Sequence, residues 1–148
     1  MKEGNTMIST RGRYALRMMV DLAEHADEGH VALKDIAQRQ DISKKYLEQI
    51  VPILNRAALL QTTRGAGGGY RLVKPARDYT VGEILRATEG SMAPVACLEG
   101  GVNTCPRCAE CATLFIWEGL QRVEEEYLDS ITLQDILDKQ AETNNYSI

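Results

Sequence analysis

Outside residues 97–111, this 148-residue chain has no cysteine at all. No disulfide framework can therefore staple distant parts of the fold together. Nor is there an apolar run approaching the roughly 20 residues that span a bilayer. The start, Met-Lys-Glu-Gly-Asn-Thr, lacks the apolar stretch of a signal peptide. Neither a dinucleotide fingerprint, nor a nucleophile elbow, nor a paired catalytic acid occurs, so no enzyme class finds support. Internal repeats and low-complexity tracts are missing as well. Positive charge is also short, with 17 Lys/Arg against 21 Asp/Glu and a net charge of −4. These absences predict a cytoplasmic protein that is not an enzyme, and they argue against strong non-specific binding to a polyanion.

What is present is unevenly spread. Residues 1–79 hold 13 Lys/Arg against 9 Asp/Glu, and residues 80–148 hold 4 against 12. A basic first half and an acidic second half fit a polyanion-binding head on a solvated body. With 44% hydrophobic and 26% charged residues, the chain predicts one globular domain, or one with an extension.

Hydrophobic periodicity predicts a helix over 10–26, with Tyr14, Met18, Leu22 and Ala26 on one face. A short helix is expected over 33–40, a turn at Asp41-Ile42, and a third helix over 44–57 capped by Ser43. Residues 59–63 and 70–73 read as strands joined by the loop Arg64-Gly-Ala-Gly-Gly-Gly69. Three helices and a hairpin make a winged helix-turn-helix with a two-stranded β-wing, in a mainly α chain. Thr80-Val-Gly-Glu83 reads as a capping box that opens a helix to about residue 89. A loop over 91–108, a longer helix over 109–128 and a short helix opened by Thr132 follow. The expected organisation is a DNA-binding domain at 7–79, then a sensor loop (91–111) with helices to 141. Residues 142–148 are polar and predict a frayed tail.

In a helix-turn-helix the second helix lays its first residues into the major groove. Here these are Ser43, Lys44, Lys45 and Tyr46, with Glu48 and Gln49 behind them. Lys44 and Lys45 suit phosphates, Ser43 and Tyr46 phosphates or base edges, Gln49 adenine, and Glu48 either cytosine or repulsion of phosphate. In the hairpin loop, Arg64 suits a narrow minor groove, and Gly67 and Gly68 let the backbone come close to DNA. A nucleotide-binding loop would need a following Lys-Ser/Thr and a helix start, which this one lacks.

Cys97-x7-Cys105-x2-Cys108-x2-Cys111 gathers soft thiolates in one loop. Such a set suits an iron–sulfur cluster, [2Fe-2S] or [4Fe-4S], or else a zinc ion. A thiol switch remains an alternative, and so, more remotely, does a small redox protein. His25 and His30 read as surface residues.

The stretches Ser9–Tyr14, Ile42–Gln49 and Arg64–Tyr70, with Thr80–Glu83, resemble the Rrf-two superfamily of bacterial winged-helix regulators, the group containing IscR, NsrR and CymR. The similarity covers roughly residues 7–140. It implies a homodimer paired through a long C-terminal dimerisation helix, whose heads bind a palindromic double-stranded operator, most often as a repressor. By the same resemblance Thr10, Arg11 and Arg13 lie near the DNA backbone. IscR-like members hold a cluster by three cysteines and a histidine, which implies Cys97, Cys105 and Cys111 here, with Leu114 where the histidine would fall. CymR-like members have no cluster and respond through a protein partner, so a protein effector is the alternative.

Overall fold

The computed structural model describes residues 8–99, 106–107 and 109–146. In chain order these form α1 (Thr10–Glu24), α2 (Leu33–Gln40), α3 (Lys44–Arg56), β1 (Leu60–Thr63), β2 (Gly69–Leu72), α4 (Val81–Glu89), α5 (Leu114–Asp129) and α6 (Leu133–Tyr146). The two strands pair antiparallel, Leu60 opposite Leu72 and Thr63 opposite Gly69. This is the mainly helical, winged architecture that the sequence predicts. No described helix is long and apolar enough to cross a membrane.

Local chemistry sets the head's boundaries. The Ser43 hydroxyl accepts from the Tyr46 N–H at 3.1 Å and starts α3. Asp41 ends α2 in the left-handed region, φ 52°, a conformation that a short polar side chain tolerates. α3 runs through Pro52 to Arg56.

One buried cluster joins every helix of the head: Ala15, Met18 and Leu22 of α1, Ile36 of α2, and Leu47, Ile50 and Leu54 of α3. Ile84 of α4 and Leu133 of α6 belong to the same cluster, which therefore extends past residue 79. The segments that lead into α4 and α6 are stitched to each other by backbone bonds, Val81 N–H to the Ile131 carbonyl at 2.8 Å and Leu133 N–H to the Tyr79 carbonyl at 3.0 Å. Asp21 is fully buried within α1. Its carboxylate accepts from Arg39 (2.7 and 3.0 Å) and from Gln40 (3.0 Å), tying α2 to α1.

Three expectations need correcting. The longer helix begins at Leu114, not near residue 109, because the chain just before it runs in turns, with Glu110 N–H bonded to the Arg107 carbonyl at 3.0 Å and Thr113 as N-cap. The last helix is not short. It continues to Tyr146, with the Thr143 hydroxyl bonded to the Lys139 carbonyl. The Thr80–Glu83 box is half formed: Thr80 Oγ1 accepts from Glu83 N–H, but the Glu83 carboxylate is drawn away to Lys74 Nζ at 2.8 Å. The complete reciprocal box is Thr132–Asp135, where each side chain bonds the other's N–H, at 2.9 and 3.1 Å.

Tyr79 is wholly buried. Its hydroxyl donates to the Leu59 carbonyl at 2.7 Å and accepts from Val73 N–H at 2.9 Å, clamping both ends of the hairpin. Burial pushes the phenol above its ordinary value, because the charged form is disfavoured there. The stability from keeping Tyr79 neutral is fully present below the unfolded phenol's pKa of about 10. It is lost as the pH rises through the higher folded value. Tyr79→Phe is expected to cost about 1–2 kcal/mol at pH 7 by urea unfolding. It should also flatten the loss of stability above about pH 10, and an unchanged alkaline slope would contradict the assignment.

Candidate nucleic-acid interface

The turn between α2 and α3 sets the exposed first turn of α3 beside the hairpin. Lys44, Lys45, Glu48 and Gln49 all face solvent, as does Arg64 at the hairpin's shoulder. Lys44, Glu48, Arg64 and Gly68 line one open groove between α3 and the wing. The same groove takes in residues that sequence reasoning missed, chiefly Lys34, Asn55 and Thr62. Lys34 had a signal in the sequence, since the first helix of such a motif crosses the DNA backbone. Asn55 and Thr62 had none. Their side chains meet at 3.2 Å only because β1 returns beside α3.

The other expected contacts sit differently. Tyr46 packs edge-on against Tyr14, ring centroids 5.3 Å apart, with Arg17 stacked on Tyr14 at 5.3 Å. Arg13 donates to the Thr10 hydroxyl at 3.1 Å. Arg11 sends its guanidinium to the Thr88 carbonyl at 3.0 Å, at the end of α4. Ser43, Lys45, Gln49 and Gly67 lie outside the lining of the groove.

The wing is held from below. Val31 and Tyr70 exchange both backbone bonds, at 2.8 and 2.9 Å, and His30 Nε2 meets the Thr63 hydroxyl at 2.7 Å. This explains two of the glycines. A Cβ on Gly69 would lie 2.3 Å from the Val31 carbonyl oxygen, and one on Gly68 would lie 2.2 Å from that of Thr63. Both are required by the hairpin itself. Gly67, at φ 76°, faces open space at the tip.

Of the cysteines, Cys97 lies half-buried in a short 3-10 turn, Ala96–Leu98, that is anchored by buried Leu98. Leu98 lines one cavity with Arg86 of α4 and with Gln121 and Leu128 of α5. Cys111 is exposed just before α5. The Thr113 hydroxyl, 3.6 Å from its sulfur, lowers the thiol below its ordinary value. Backbone N–H groups at the helix start and the charge of Arg107 act in the same direction. A thiol poised toward thiolate fits a metal or cluster ligand. Cys105 and Cys108 lie outside the described residues. Among the described residues no group of three or more ligating side chains is gathered.

The family model described as "Rrf2: Iron-dependent Transcriptional regulator" matches residues 8–139. Protein rrf2 of Nitratidesulfovibrio vulgaris is 43% identical over 130 residues, which is 88% of this chain and 86% of that protein. The solved structure of T. potens IscR superposes with a TM-score of 0.74 at 40% identity, covering 94% of this chain and 91% of that one. CymR of B. subtilis gives a TM-score of 0.68 at 37% identity, covering 89% and 96%.

The two wing glycines separate by experiment. Gly69→Ala is expected to cost about 2 kcal/mol or more, because only backbone can yield to its Cβ. Gly67→Ala should cost about 1 kcal/mol, from the left-handed conformation alone. Urea unfolding of both variants checks the order, and equal costs would overturn it.

Proposed function

The chain belongs to the Rrf2 family of DNA-binding transcriptional regulators, as one of the IscR/CymR type, and on that premise we propose how it reads DNA and what it senses. It acts in the cytoplasm as a homodimeric repressor on a palindromic operator. The observation that carries this reading is the open groove lined by Lys44 and Glu48 of α3 together with Arg64 of the wing. The start of α3 enters the major groove. Ser43, Lys44 and Lys45 hold phosphates, while Glu48 and Gln49 meet base edges. Arg64, with Gly67 at the tip, reaches the adjoining minor groove.

Pairing is supported by α5, in which no residue is buried. Ile116, Leu120, Val123 and Tyr127 recur at steps of four, three and four residues, the seam of a two-helix coil, and Phe115 is 73% exposed beside it. A helix this apolar on one side calls for a second copy.

Cys97, Cys105, Cys108 and Cys111 would hold an iron–sulfur cluster. When bound, that group supplies a centre that responds to oxidant, nitric oxide or iron supply. The lowered Cys111 thiol supports this reading. The same exposed, poised thiol favours a second one, in which oxidation of the cysteines alone is the signal.

Two measurements test the proposal. Arg64→Ala should weaken operator binding by about 1–3 kcal/mol, and Lys45→Ala should lower the salt slope by about 1, both read by fluorescence anisotropy. Unchanged affinity and slope in both would sink the docking described. Protein purified without oxygen should be brown, with iron and sulfide lost on Cys105→Ala or Cys111→Ala. A colourless protein with stoichiometric zinc would make the site structural. One with neither metal would leave the thiol switch.

A further inference from the structure

The start of α1 and the end of α4 cap one another. Ser9 is the N-cap of α1, and its hydroxyl accepts from Gly12 N–H at 3.1 Å. In a capping box the residue at Gly12's position would be Glu or Gln, reaching back to the N-cap N–H. Here that carboxylate comes from another helix. Glu89 Oε1 accepts from Ser9 N–H at 2.9 Å and from the Ser9 hydroxyl at 2.7 Å. It occupies the space that a side chain at position 12 would need, since a Cβ on Gly12 would lie 2.1 Å from Glu89 Oε1. In return Arg11 donates to the Thr88 carbonyl in α4's last turn, at 3.0 Å. The positive end of α1 thus meets a carboxylate, and the negative end of α4 meets a guanidinium.

The joint has a position as well as a chemistry. Gly90, φ 75°, ends α4 immediately after Glu89, and the chain then leads to Cys97. On the other side, α1 carries Tyr14, whose ring abuts Tyr46 in the first turn of α3 beside Lys44 and Lys45. Arg17, stacked on Tyr14, also donates to the Gln40 carbonyl at the end of α2. The first turns of α1 therefore touch both the end of α4, from which the chain runs on to Cys97, and Tyr46 of the DNA-reading helix.

We propose that Glu89 is a positioning residue for DNA reading: by closing the cap of α1 it sets the recognition helix through Tyr14–Tyr46, and it passes to that helix any change in the cysteine loop. The second half of this statement rests on the reading of that loop as the sensor. The test is amide hydrogen exchange on the full chain, purified without oxygen, before and after alkylation of its cysteines with iodoacetamide. Wild type is compared with Glu89→Ala and with Ser9→Ala. The Ser9 variant keeps the carboxylate and serves if the first variant does not fold.

In wild type, alkylation should alter exchange over residues 44–50 several-fold. In the variants, residues 10–13 should exchange roughly fivefold faster even without alkylation, as for a lost cap. Alkylation should then no longer reach 44–50. An identical response at 44–50 in wild type and variants would overturn the proposal, and so would no response in wild type. The experiment contains no DNA, so failure to bind any duplex would count against the regulator reading alone.

Discussion

The arrangement of the head depends on one buried carboxylate. Asp21 has no exposed surface, yet it stands on the same face of α1 as Met18 and Leu22. A bare charge there would be too costly to keep, so its partners are fixed by necessity. Arg39 and Gln40 supply three hydrogen bonds from the last turn of α2. The hydrogen bond to Asp21 is also the main reason that the Arg39 guanidinium is held above its ordinary value. Since α2 leads through the tight Asp41–Ile42 turn directly into α3, anchoring the end of α2 orients the recognition helix. Removal of either partner would leave the other seeking water, which a half-exposed Arg tolerates and a buried carboxylate does not.

The wing is positioned by a different device. Tyr79 reaches under the hairpin and bonds both of its ends, while Val31 adds a single bridge at Tyr70. Rigid support below and exposed cations above are what a DNA-reading surface requires, because ordering those side chains on binding then costs less. The same logic makes Gly68 and Gly69 scaffold, although both lie in the stretch that suggested close approach to DNA. Gly65 and Gly67, by contrast, face open space.

Much of this was legible in the chain. The bounds of α2, the Ser43 and Thr80 caps, the hairpin and the exposed cations of α3 are local features, decided by neighbours a few residues apart. One error has a tertiary cause: Glu83 leaves its capping box because Lys74 lies within reach. The start of α5 was misplaced because the stretch after residue 108 has no capping residue before Thr113, and hydrophobic spacing alone sets boundaries poorly. Asp21 and Tyr79 were passed over, although a charge or a phenol amid an apolar pattern is itself a signal of burial with a partner.

What this sequence determined by itself is the kind of protein: helix periods, caps, the turn residues of a wing, a basic head and one crowded set of thiols. Each follows from interactions within a turn or two of chain, which the folded state can only accept. The tertiary structure alone decided which polar groups meet. Asp21 with Arg39, Tyr79 with Leu59 and Val73, and Glu89 with Ser9 are long-range or buried pairings. They form because groups removed from water must find partners wherever packing brings them, and that distance in space is not written in the spacing along the chain.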